Sequence, residues 1–235
     1  MNTNSVTRVL VFDTETNGLL PKRDNITRLP DIREYPYILQ LSFVIYNIET
    51  SVIEQTYNNY IKVSDDVIIS AKITELTGIT KETCVTKGVP ITNALYDFYH
   101  AYMSVDRIVA HNISFDKNMI ELEVFRNRGH LRTIPESHFL FNDTFNSLHN
   151  TDIYCTMLQT KGFCNIMMNG RYGPYQKAPK LSELHDKLFG FTPDNLHDAL
   201  VDTITCLKCY LKHEHKIQLP CEIDEYLQSG AEWVV

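Results

Sequence analysis

The chain has 235 residues, 43 % of them hydrophobic and 22 % charged, with a formal net charge of −7. That is apolar material enough for a sizeable core within one α/β domain, which excludes a disordered chain. The acidic balance excludes a general polyanion binder held by bulk charge.

No stretch approaches the ~20 apolar residues of a membrane span. Met1-Asn2-Thr3-Asn4-Ser5 lacks the basic and apolar regions of a signal peptide. An intracellular setting, cytoplasm or nucleus, is therefore expected, with the six scattered cysteines reduced. No repeat, low-complexity tract or interdomain linker interrupts the chain. One domain is expected over 1–235, with a core of about 8–212 and a C-terminal extension over 213–235. No polymerase domain is expected within this length.

Residues 7–13 read as a buried strand. Residues 21–36 form a long link in which Lys22, Arg23, Arg28 and Arg33 outnumber Asp24, Asp31 and Glu34, with Tyr35 following. Such a basic, aromatic-bearing loop suits guidance of a single strand, or plain surface solvation. The apolar, β-branched run Tyr37–Tyr46 predicts a second strand and Val52–Val63 a weaker third. Meander connections make these three antiparallel. A short helix is expected at Thr74–Gly78, and a longer one from Pro90 to Met103. Arg107–His111 reads as a short buried strand. Ser114 is placed to cap a helix from Phe115 to about Arg128, stopped by Gly129, with Phe115, Met119, Leu122 and Phe125 as its apolar stripe. The stretch 130–178 reads as irregular apart from a strand near Thr151–Met157. Helices follow at Lys180–Phe189 and Leu196–Lys212. The sum is a mixed α/β sheet with helices on both faces.

Three acidic sites carry the chemistry. The first strand ends in Asp13-Thr14-Glu15, and strand alternation puts Asp13 and Glu15 on one face. Two carboxylates there repel unless a hard divalent cation neutralises them; a polar strand end turning through Thr16-Asn17-Gly18 is the plainer alternative. The second site is His111-Asn112-Ile113-Ser114-Phe115-Asp116, where Asp116 falls in a first helical turn that favours an acid in any case. The third is His197-Asp198-Ala199-Leu200-Val201-Asp202. On a helix, Asp198 and Asp202 share a face. His197 works beside Asp202 only if it sits at or before the helix start, as Pro193-Asp194-Asn195 permits. Geometry alone does not choose between these pairings.

Taken in order, Asp-x-Glu, His-Asn-x-x-Phe-Asp and His-x4-Asp resemble the DEDDh 3′–5′ exonucleases of the ribonuclease H-like superfamily. Tyr37-Ile-Leu-Gln-Leu-Ser, Glu75-Leu-Thr-Gly-Ile-Thr, Asp152-Ile-Tyr-Cys-Thr-Met and Pro179-Lys-Leu-Ser-Glu-Leu extend the similarity over roughly residues 8–212.

The resemblance implies a five-stranded mixed sheet, three antiparallel strands then parallel ones. It implies Asp13, Glu15, Asp116 and Asp202 as ligands of two Mg²⁺ or Mn²⁺ ions, and His197 as the general base. Backbone at Thr16 and Asn17 would meet the terminal 3′-hydroxyl. Asn112 and Phe115 are candidates for substrate contact, with loop support and core packing as their plainer roles. The implied partner is a nucleic-acid 3′ end, single-stranded DNA favoured over RNA, with nucleoside 5′-monophosphates released. No membrane is implied; a homodimer or a polymerase partner is compatible with it.

Such chemistry suits these residues. Two divalent cations activate water and offset charge on the leaving oxygen. An all-oxygen ligand set favours Mg²⁺ or Mn²⁺ over zinc. Histidine's ordinary pKa of ~6.5 lets it take up a proton near neutral pH. Cys206, Cys209 and His213 superficially suggest zinc, but cysteines on that helix are expected to pack as small hydrophobes.

Overall fold

The run Val9-Leu10-Val11-Phe12 is wholly buried on both faces, because strand β1 (Arg8–Thr16) lies at the centre of a five-stranded sheet. The computed structural model describes residues 6–21, 31–194 and 196–219, with Ile223 and Leu227. Lys22, Arg23, Arg28, Asn195 and Cys221 lie outside the described residues. β1 pairs antiparallel with β2 (Ile38–Asn47), which pairs antiparallel with β3 (Val52–Tyr60). On its other side β1 runs parallel to β4 (Arg107–Ala110), and β4 to β5 (Asp152–Cys155). The order is therefore β3-β2-β1-β4-β5, the mixed arrangement expected.

Short helices α1 (Ala71–Thr77) and α2 (Lys81–Lys87) follow β3; Gly78 closes α1 at φ +71°. α3 (Ile91–Tyr102) and α4 (Ile113–Asn127) cover one sheet face, where Phe98, Met119 and Ile120 meet Leu10 and Phe12. α5 (Asp143–His149) precedes β5, and α6 (Thr156–Gln159) and α7 (Lys161–Cys164) follow it. A separate ribbon of β6 (Ile166–Gly170) and β7 (Gly173–Lys177) leads to α8 (Leu181–Phe189) and α9 (Ala199–Tyr210). Val201, Ile204 and Leu207 of α9 bury against Val9, Val11 and Val44 on the opposite face. Helices thus cover both faces.

Several boundaries differ from expectation. α4 begins at Ile113, after Asn112 in the left-handed conformation at φ +64°, so Ser114 is not its cap. Ser114 lies in the first turn instead and donates to Asn112 Oδ1 at 3.2 Å. Phe125 leaves the expected stripe and is 51 % exposed, with Arg128 over its ring; Ile120 and Val124 take the buried face. α9 starts three residues later than Leu196, since His197 sits at φ +79° and Asp198 is extended. The region 130–178 holds short helices and a hairpin, too brief for a periodic signal to accumulate.

The chain leading into β2 is held by one buried cation. Arg126 pairs with Glu123 at 2.6 Å and donates to the carbonyls of Ile32, Tyr35 and Pro36. Its guanidinium stacks 3.8 Å from the centroid of the Tyr37 ring. The two side chains are only 9 % and 4 % exposed, so removing one strands the other. Arg126→Met should destabilise by about 3–5 kcal/mol in urea melts; a change below 1 kcal/mol would show that the pair does not anchor this segment.

Candidate active site

The site is assembled at the C-terminal end of β1. Asp13 and Glu15 point to the α9 side of the sheet, with Val9 and Val11. Opposite Glu15 the ladder skips a residue: Glu15 pairs with Gln40 but Thr16 with Ile38, so Leu39 bulges out. Bulges bend a strand and re-aim its side chains, and this one lies at the site's edge.

Asp116 reaches the cluster from the other face. Its Oδ1 accepts from the Thr14 backbone N–H at 3.1 Å and from the Thr14 hydroxyl at 2.7 Å, and the residue is only 3 % exposed. Thr14, between the two strand carboxylates but facing away from them, therefore fixes the third acid. Asp202 lies in the first turn of α9, where its Oδ2 accepts from the His197 backbone N–H at 3.1 Å. His197 sits just before the helix and is exposed, the placement its pairing with Asp202 requires. Glu15, His197 and Asp202 each bring a ligand atom within 4.8 Å of the others.

Asp198 has a different part. Its Oδ1 caps α9 by accepting from the Leu200 and Val201 N–H groups, and its Oδ2 accepts from Gln40 Nε2 at 3.1 Å. Gln40 also accepts from the Ala199 N–H at 3.3 Å, locking the helix start to β2. Sequence reasoning missed Gln40 and Thr14. A lone amide inside a buried apolar strand is the signal for the first, since such a group must find partners.

Burial and mutual repulsion dominate the electrostatics. Burial, then Asp116, Asp202 and Glu15, push Asp13 well above the carboxylate range. Burial and the charges of Asp202 and Asp116 raise Glu15 to about 9. Burial raises Asp116 and Asp202 to about 7 each, against hydrogen bonds from Thr14 and His197. These shifts tie all four acids into one electrostatic cluster.

The remaining predicted residues make local contacts. Thr16 donates to the Gly18 carbonyl at 2.7 Å. Asn17 clasps the neighbouring strand, accepting from the Tyr37 N–H at 2.7 Å and donating to the Ile68 carbonyl at 3.0 Å. Phe115 is half-buried against the core. His111 is a loop support: its ring bonds Thr156 Oγ1 at 2.9 Å and the Pro179 carbonyl at 3.1 Å, and burial lowers its pKa to about 4. A cleft of about 250 Å³ opens beside Asn17 and Gly18, lined by Leu19, Arg33, Tyr35 and Ile68. Arg33 is paired there with Asp31 at 3.0 Å. Cys206 and Cys209 are buried among apolar side chains, as expected, and His213 pairs with Glu214.

An exonuclease family model, RNase T, matches residues 10–210. The chain belongs to this exonuclease family. Its motifs and sheet order are those of the DEDDh group of this family, with the ribonuclease H-like fold. Comparison with curated protein sequences gives no match. Among solved structures it is similar to Escherichia coli exonuclease I with a dA16 oligonucleotide, at TM-score 0.59 and 18 % identity over 94 % of this chain and 42 % of that one. Similar values hold for its zinc-bound complex with single-stranded DNA (TM-score 0.62, 17 %, 94 % and 42 %) and its apo form (TM-score 0.61, 17 %, 94 % and 44 %). At these identities the likeness is one of fold, and the chain spans less than half the length of those proteins.

The raised acids make a signed prediction. A carboxyl whose folded pKa lies above its unfolded value, near 4, stabilises fully only below that value. Stability without added cations should thus fall as pH rises from about 4, through about 7 for Asp116 and Asp202, to about 9 for Glu15. In EDTA at pH 8, Glu15→Gln should melt higher than the parent, by about 2–4 °C for each kcal/mol of repulsion relieved. An unchanged or lower Tm contradicts the crowding.

Proposed function

We propose that this protein is a metal-dependent 3′–5′ exonuclease that removes nucleoside 5′-monophosphates from the 3′ ends of single-stranded DNA, acting as one domain over 1–235 with its core at about 8–212. The observation that carries the reading is the convergence of Asp13, Glu15, Asp116, Asp202 and His197, from three separate segments, on one rim of the sheet. Single-stranded DNA is favoured because the similar exonuclease I structures hold dA16 and dT13 oligonucleotides.

The donor set fits hard cations: it is all carboxylate oxygen, crowded enough that repulsion and burial hold protons on it near neutral pH. Asp13, Glu15, Asp116 and Asp202 would hold two Mg²⁺ or Mn²⁺ ions, which when bound would polarise the scissile phosphate and make the attacking water more acidic. His197, exposed at the site's mouth, takes the proton from that water as its oxygen bonds to phosphorus. The bond between phosphorus and the preceding nucleotide's 3′ oxygen breaks, and solvent protonates the leaving oxygen. Thr14 keeps Asp116 aimed; the Asp198–Gln40 lock keeps the start of α9, and so His197 and Asp202, in place. Backbone at Thr16 and Asn17 would meet the terminal 3′-hydroxyl, and Asn112 and Phe115 would contact the substrate. Exposed Leu19 and Ile68 at the cleft offer apolar surface to the last bases. Buried, free cysteines suit an intracellular setting.

Matched 5′-labelled DNA and RNA strands, incubated with Mg²⁺, Mn²⁺ or EDTA, test the reading. DNA should shorten stepwise from its unlabelled end, and only with added cation. Faster loss of RNA would make it an exoribonuclease, and no shortening of either would refute the proposal. His197→Ala should lower kcat about 10²- to 10⁴-fold with little loss of cation affinity by calorimetry. Asp13→Asn and Asp202→Asn should lose both; normal turnover in either contradicts the assignment. Since Asp116 and Asp202 titrate near pH 7, cation affinity should weaken from pH 8 to pH 6 as protons compete.

A further inference from the structure

From Ile153 to Ser182 the chain carries no aspartate or glutamate, whereas Lys161, Arg171, Lys177 and Lys180 give it four positive charges. Such a stretch is out of keeping with a protein of net charge −7. The same stretch holds Leu158, Phe163, Met167, Met168, Tyr172 and Tyr175, six of the fifteen large apolar side chains exposed among the described residues. Exposed apolar surface concentrated within one segment marks an interaction site.

The β6–β7 hairpin is the centre of this stretch, and its strands pair only with each other. A two-stranded ribbon with both faces in water has little core of its own and is marginally stable without a partner. Its side chains are arranged nonetheless. Met168 and Tyr175 face each other across the ladder. The Tyr175 ring lies over Gly170, where an added Cβ would stand 3.0 Å from the ring and crowd it. At the tip, the Arg171 guanidinium stands 5.6 Å from the centroid of the Tyr172 ring, which is 95 % exposed.

The base of the hairpin is anchored at the rim that holds the acidic cluster. Gln176 donates to Asn165 Oδ1 at 3.0 Å, and Lys177 pairs with Glu183 at 2.6 Å. The Pro179 carbonyl meets His111, which directly follows β4 and lies five residues before Asp116. With strands of five residues at about 3.3 Å each, the ribbon reaches about 17 Å from that base. At ~3.4 Å per nucleotide, this matches about five nucleotides of strand.

We infer that the β6–β7 hairpin is a second contact for single-stranded nucleic acid, stacking bases on Tyr172 and Tyr175 several nucleotides upstream of the 3′ end held at the acidic cluster. The inference rests on the exonuclease reading for which end of the strand enters the site. Exposed aromatic rings with Arg171 at the tip, in a run of chain free of aspartate and glutamate from Ile153 to Ser182, suit a polyanion with unpaired bases better than a protein partner.

Two measurements separate this inference from the function on which it rests. The first compares kcat/KM for a 20-nucleotide and a three-nucleotide DNA strand. Tyr172→Ala with Tyr175→Ala should lower the ratio of the two values about tenfold, chiefly through KM for the longer strand, and Arg171→Glu should add to the loss at low salt. An unchanged ratio, or equal losses on both strands, would overturn the inference. The second is fluorescence anisotropy of a labelled 20-nucleotide strand in EDTA, where no cleavage occurs. If the parent binds the strand and the tyrosine variant binds about tenfold more weakly, the hairpin contact stands even for a parent that proves unable to cleave. Equal binding by parent and variant, or no binding by either, overturns it.

Discussion

The structure depends on an unfavourable concentration of charge at the end of its central strand. Four carboxyls from β1, α4 and α9 lie close enough to raise one another's proton affinity, within a setting buried enough to magnify the effect. Part of the cost is offset by architecture. Asp116 and Asp202 both occupy first turns, so the positive ends of two helix dipoles face the cluster. Hydrogen bonds from Thr14 and from the His197 backbone stabilise the ionised forms further. What remains is a crowd of carboxyls short of counter-charge, far apart in sequence and together in space.

The sheet makes this arrangement possible. β1 is flanked by an antiparallel neighbour and a parallel one, so its C-terminal end meets a bulged strand on one side and the start of α4 on the other. Covered on both faces, it presents polar groups only where it emerges. The opposite face of the sheet brings α9 to the same rim, with Gln40 as the link between β2 and the helix start. One buried amide thus couples the sheet's register to the position of His197 and Asp202.

Much of this was legible in the sequence, for physical reasons. The period of two places Asp13 and Glu15 together without any knowledge of the fold, and long apolar runs mark β1 and β2. The order of the three acidic motifs identified the family. What escaped reading depends on partners remote in sequence. Nothing local in Thr14 says that it will hold Asp116, 102 residues away. Leu196 looked helical by pattern, yet the left-handed His197 and the Asp198 cap delay α9, because the backbone there serves the cluster before it serves the helix. The β6–β7 ribbon was invisible as structure, since strands with both faces in solvent do not alternate.

Glu15 differs from Asp116 and Asp202 in one respect. Those two are tied into the frame by hydrogen bonds, while among the described residues none holds the Glu15 side chain. Its carboxylate answers to whatever enters the site rather than to the scaffold, so chemistry and architecture are separable at this position. An amide in its place leaves every supporting bond intact, so under the proposed function a variant there would separate holding a strand end from cutting it.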